Sequence, residues 1–182
     1  MQADETIPWA AVIDFLSSRR GLLDAVVFSG GEPTLQHALP DAVEEVRALG
    51  FRVGLHTTGM APERFAALLP SLDWVGFDVK APFAAYSRIT GVERSGDKAL
   101  TSLRSLLASR VLYEVRTTVH HALLSSADMT ELKVQLLDLG VTNFVVQQVR
   151  TQGAPPGRLP MASEGLQLPK EYGNGFAHFR MR

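Results

Sequence analysis

Apolar residues along this chain recur at two alternating spacings. Trp9, Val12, Ile13 and Leu16 repeat at helical intervals, with Pro8 suited to a first turn and Gly21 to the stop. The short run Ala25–Ser29 predicts a strand. Leu39, Val43, Val46 and Leu49 form a second helical stripe that ends at Gly50, before a strand over Phe51–His56. Thr57-Thr58-Gly59 reads as a loop and Pro62–Leu69 as a short helix. Trp74–Val79 predicts a third strand. A loop holding Pro82, Gly91 and Gly96 then leads to a helix with Leu100, Leu103, Leu106 and Leu107 on one face. A fourth strand is expected over Val111–Val119. The next helix is capped near Ser125 or Ser126, carries Leu132, Leu136 and Leu139, and stops at Gly140. Asp128 falls in its first turn, where the helix dipole favours an acid. Asn143–Val149 is the fifth strand.

Five strands separated by helices, without hairpin signals, argue for a parallel α/β sheet or an open barrel. A helix precedes the first strand, so the architecture reads as one strand short at its N-terminus. Residues 1–150 form the expected barrel domain. From Thr151 to Arg182 the chain turns rich in Pro and Gly, and is expected to be a tail, docked through Phe176, Phe179 and Met181 or partly disordered.

Composition narrows the partners. A hydrophobic share of 46% with 20% charged residues is that of a globular domain large enough for a sizeable core. A net charge of −1 gives no electrostatic ground for a nucleic-acid or anionic-membrane partner. No apolar run approaches the ~20 residues that cross a bilayer, and the acidic start MQADETIPW lacks the form of a signal peptide. A cytoplasmic protein is expected. The chain has no cysteine, which excludes disulfides and thiolate metal sites within it.

The most specific local feature is FSGGEPTLQ, from Phe28 to Gln36. Two glycines at a strand end let main-chain groups approach a ligand; Glu32 offers a carboxylate at the mouth and Pro33 stiffens the exit. Alone, such a stretch reads equally well as a tight turn. Its setting resembles the glycine-rich element of radical S-adenosylmethionine (SAM) enzymes, whose Gly-Gly-Glu backbone holds the methionyl amino group of SAM. The wording is similar to the activating proteins of anaerobic ribonucleoside-triphosphate reductase, relatives of the pyruvate formate-lyase activating enzymes. The likeness runs from about Ile7 to Gly153, through LLDAVVFSGGEPTLQ, RALGFRVGLHTTG, LLPSLDWVGFDVKAPF, YSRITGV, YEVRTTVH and FVVQQVR.

This resemblance implies an open six-stranded barrel, of which about five strands are present and the first is missing. It implies SAM and a 4Fe–4S cluster in full-length members, an electron donor, and a glycyl-radical enzyme akin to anaerobic ribonucleotide reductase as partner. There, SAM cleaved with an electron from the cluster yields a radical that takes a hydrogen atom from one glycine of the partner. The family holds its cluster on three thiolates spaced C-x₃-C-x₂-C after the first strand. This chain has none, so the cluster is not expected to bind to it.

Ligands of parallel α/β folds gather at the carboxyl ends of the strands. Glu32, His56, Asp78, Lys80, Arg116 and the 147–150 region all fall there. Asp78 and Lys80 share one face at period two, either as a solvent-exposed ion pair or, by the resemblance, as contacts around the methionyl end of SAM. Arg116 lies within a strand, either paired with Glu114 on the same face or, by the resemblance, holding the SAM carboxylate. The cofactor-binding residues implied are thus Gly30, Gly31, Glu32, Asp78, Lys80, Arg116 and, at the fifth strand, Gln148. His56 stands where related activating enzymes often carry an acid. His120 and His121 point to opposite sides. Apart from the resemblance, Glu32, His56, Asp78 and His120 could ligate a divalent metal in a hydrolase or isomerase, Lys80 could form a Schiff base, and a cluster-free binding or regulatory module is the remaining alternative.

Overall fold

The computed structural model describes residues 6–120, 122–149 and 168–182. Six parallel strands pair in sequence order: β1 (Ala25–Phe28), β2 (Arg52–Thr57), β3 (Trp74–Asp78), β4 (Leu112–Val119), β5 (Asn143–Gln148) and β6 (His178–Met181). Between and before them lie α1 (Trp9–Ser17), α2 (Leu39–Ala48), α3 (Pro62–Leu68), α4 (Tyr86–Thr90), α5 (Ser95–Ala108) and α6 (Ser126–Asp138). Crossovers between parallel neighbours take one hand. With every strand beside its predecessor, the helices therefore collect on one side and the sheet curls as an open α/β barrel.

Local chemistry sets the helix ends. Ser125 and Asp128 form a reciprocal capping box at α6. Pro40 and Asp41 sit in the first turn of α2, with Arg47 in its last. The stretch expected as a loop holding Pro82, Gly91 and Gly96 contains α4 and the start of α5. Gly96 is required there for space, because a Cβ would lie 2.0 Å from the Phe83 carbonyl oxygen.

The five expected strands are joined by a sixth. His178–Met181 is four residues long, too short to show an alternation, and only its register with Asn143–Val146 makes it a strand. Phe176 and Phe179 dock on Phe144, with ring centroids 5.1 and 6.0 Å away. Met181 does not dock and is 47% exposed. His121 and the whole stretch 150–167, with the expected domain boundary at 151, lie outside the described residues.

The sheet has two unlike faces. Val53 and Leu55 of β2, Val75 and Phe77 of β3, Val115 of β4, and Phe144 and Val146 of β5 belong to the buried core against the helices. The alternate positions share the other face: register aligns His56 with Gly76 and Glu114, and Asp78 with Arg116, Val145 and Arg180. Parallel sheets covered on both sides are near-continuously apolar. Here the inner face carries charge, which marks it as a lining rather than a packed core.

Candidate functional site

The loop leaving β1 is built on two left-handed residues, Gly30 (φ +91°) and Gly31 (φ +54°). A Cβ at either would meet nothing within 4 Å, so backbone conformation alone demands glycine there. Both residues are exposed, and their main-chain groups stand at the rim of the inner face.

Glu32 holds that loop in place. Its Oε1 accepts from the Thr34 N–H at 3.2 Å, the Thr34 hydroxyl at 2.7 Å and the Thr57 hydroxyl at 2.6 Å. Its Oε2 accepts from the Thr58 N–H at 2.7 Å and from the Thr58 hydroxyl. Thr57 in turn accepts from the Gly59 N–H at 3.0 Å. The carboxylate therefore ties the exit of β1 to the exit of β2, instead of standing open at the mouth. Burial works to raise its pKa, but the hydrogen bonds from Thr34, Thr57 and Thr58 outweigh burial and hold it below the ordinary carboxylate range.

Deeper on the same face, Arg116 of β4 reaches Asp78 of β3. Its Nε donates to Asp78 Oδ1 at 2.9 Å, with Nη2 equally close to that oxygen. Lys80 Nζ donates to Asp78 Oδ2 at 3.2 Å. Arg116 Nη1 lies 3.2 Å from His56 Nε2, and His56 Nδ1 lies 3.3 Å from Ser29 Oγ. The Arg116 side chain is only 10% exposed, those of Asp78 and Lys80 about a quarter to a third. Glu114, expected as the alternative partner of Arg116, instead pairs with Arg182 at 2.7 Å. The single Asp78 carboxylate thus faces two cations, Lys80 and Arg116, which leaves one positive charge of this cluster unmatched and suits an anionic group.

The structure brings Gly30, Gly31 and Glu32 together at one end of the rim, and Asp78, Lys80 and Arg116 a few strands along. Gln148 is not among them. It is exposed, at the exit of β5, and aligned with Val119. Gln147 is the glutamine that shares the inner face. With its amide turned, its oxygen accepts from Arg182 Nε at 3.0 Å and Nη2 at 3.1 Å. His120 is buried, its Nδ1 accepting the Ala122 N–H at 3.2 Å. Among the described residues no three His, Cys, Asp or Glu side chains stand together as a metal site.

Sequence reasoning missed Ser29 and Gly76. A Cβ on Gly76 would fall 2.8 Å from the His56 ring and 2.9 Å from Arg116 Cζ, so this glycine makes room for both groups. Its signal was present in the period-two series Trp74, Gly76, Asp78, where a small residue interrupts the face that carries the acid. A groove of about 720 Å³ beside Leu69, Asp73 and Leu112 lies at the opposite, amino-terminal end of the strands, away from this chemistry.

Residues 9–123 match the radical SAM superfamily. The chain belongs to that superfamily. Over 169 residues it is 30% identical to a protein of Methanocaldococcus jannaschii that carries the name glycyl-radical enzyme activating enzyme, covering 87% of this chain and 65% of that protein. It is 27% identical over 103 residues to 7-carboxy-7-deazaguanine synthase of Neisseria meningitidis, covering 57% of this chain and 46% of the enzyme. The chain thus spans less than two thirds of the length of these curated relatives. Its fold matches a domain of pyruvate-formate lyase-activating enzyme from Bacteroides vulgatus at a TM-score of 0.64, with 14% identity and 88% and 99% of the two chains covered.

For a radical SAM protein one fit fails outright. The superfamily's 4Fe–4S cluster needs thiolate ligands, and these 182 residues include no cysteine. The residues present do not fit the cluster, and no step through it can be assigned to them. No helix among the described residues is long and apolar enough to cross a membrane.

Proposed function

We propose that this chain is the barrel core of a radical SAM activating enzyme that serves a glycyl-radical partner. The observation that carries the reading is the Gly30–Gly31 loop, pinned through Glu32 to the exit of β2 and opening onto a rim with one unmatched positive charge. In this assignment the glycine backbone takes the methionyl amino group of SAM. Lys80 and Arg116, with Asp78 between them, hold its carboxylate. The contact at β5 is given to Gln147, which shares the inner face, rather than to Gln148. The partner is a glycyl-radical enzyme of the anaerobic ribonucleotide reductase type, reducing equivalents come from a separate electron donor, and the setting is cytoplasmic. The relative named for glycyl-radical enzyme activation supports this class of partner. In domain terms, residues 1–150 supply the barrel, and the following segment adds β6 to it.

Without cysteine, these residues alone bind SAM weakly and do not cleave it. Titration of labelled protein with millimolar SAM should shift the Gly30, Gly31 and Arg116 resonances, and Arg116→Ala should abolish the shifts. The absence of any shift at those residues in wild type would overturn the reading. Anaerobic incubation with iron, sulfide, reductant and SAM should yield no 5′-deoxyadenosine. Its formation would show that a cluster assembles without thiolates.

A further inference from the structure

We propose that His56 is a positioning residue of this site: a neutral imidazole with its hydrogen on Nδ1, it fixes the Arg116 guanidinium and ties it to the Ser29 hydroxyl at the exit of β1. A guanidinium only donates, so His56 Nε2, 3.2 Å from Arg116 Nη1, must present its lone pair. The ring hydrogen then sits on Nδ1, and Ser29 Oγ at 3.3 Å accepts it.

The ring has little freedom to do otherwise. Trp74 packs edge-on at 5.4 Å between centroids, and the missing Cβ of Gly76 is the space the ring and the guanidinium occupy. Arg116 is in turn anchored on its far side by Asp78. A hydrogen-bonded series therefore runs Ser29, His56, Arg116, Asp78, Lys80 across the exits of β1 to β4.

This arrangement exists only while His56 is neutral. A proton on Nε2 would remove the acceptor and set imidazolium against guanidinium. The groups facing the ring are Ser29 from the β1 exit, Trp74, Gly76 and Asp78 from β3, and Glu114 and Arg116 from β4. Burial first, then Arg116, push the His56 pKa down, while Asp78 and Glu114 oppose them; the balance is downward. The network is a property of the free protein. Its service to a methionyl carboxylate rests on the function proposed above.

Nitrogen-15 NMR of the protein without ligand tests the proposal. His56 should show the neutral Nδ1–H tautomer and titrate below the ~6.5 of an unperturbed histidine. The Arg116 Nε–H signal should be sharp while His56 is neutral and broaden as it protonates. His56→Gln keeps an acceptor that does not titrate, so its Arg116 signal should persist at every pH; in His56→Leu it should be broad throughout. An Nε2–H tautomer overturns the proposal, as does an Arg116 signal that broadens at the same pH in wild type and His56→Gln. Should His56→Leu fail to fold, the wild-type tautomer and His56→Gln decide. If SAM does not bind, the proposed function falls while these readouts still stand.

Discussion

The helix-covered face and the inner face of this sheet come from the same strands, residue by alternate residue. On the covered face, Phe77 packs on Phe65 with centroids 5.9 Å apart, and stability comes from removing apolar surface from water. One position on along the same strand, Asp78 faces inward and holds Arg116 and Lys80. There the polar groups satisfy one another, but their net contribution to stability is small, because desolvation offsets much of the attraction. The outer face holds the barrel together. The inner face spends that rigidity on keeping charges in fixed positions. Of its apolar members Val145 is fully buried, but toward the sheet's amino-terminal end Val27 is 45% and Leu112 72% exposed.

Three substitutions test how far the faces differ. Phe77→Ala, which empties a fully buried site, should cost about 3–5 kcal/mol in urea unfolding. A cost below about 1 kcal/mol would mean the covered face is not the stabilising one. Gly76→Ala acts from the inner face by overpacking, at a cost of about 1–3 kcal/mol. Its distinguishing mark should be loss of the Arg116 Nε–H signal while the outer-face methyl spectrum is preserved. Glu32→Gln gives the smallest effect, about 1 kcal/mol near neutrality, because an amide still accepts part of the threonine set.

Acid distinguishes the last case. The Glu32 carboxyl titrates lower in the fold than in the unfolded chain. Its contribution is therefore fully present above the unfolded pKa of ~4.3 and is lost as pH falls through the lower folded value. The gap between wild type and Glu32→Gln should close on acidification, and a gap that stays constant down to pH ~2 would break the assignment. His56 works in the same direction at higher pH. Its depressed pKa leaves the unfolded chain binding more protons below ~6.5, so stability declines as pH falls from there toward the folded value.

Much of the barrel was legible in the sequence, and the site was legible only in part. The apolar stripes of α2, α5 and α6 and the runs of β1 to β5 carry their periods openly, because each buries one face against the same core. α4 was not legible, since its five residues sit between turn-formers, nor was β6, whose four residues show no period. At the site, period two put Asp78 and Lys80 on one face correctly, yet it could not choose between Gln147 and Gln148, since the choice depends on where β5 starts in register. Ser29 and His56 carry no local mark of their contact across the strand exits.

The sequence by itself determined the alternation of strands and helices, the glycine pair at the exit of β1, and the impossibility of thiolate ligation in a chain without cysteine. These follow from residue chemistry and near-neighbour spacing. Only the tertiary structure decided that Glu32 clamps Thr57 and Thr58, that Arg116 chooses Asp78, 38 residues away, over Glu114 on its own strand, and that the C-terminal residues close onto β5. Spacing along a strand says which way a side chain points. Which partner waits there is set by the register between strands, and register is a property of the assembled sheet.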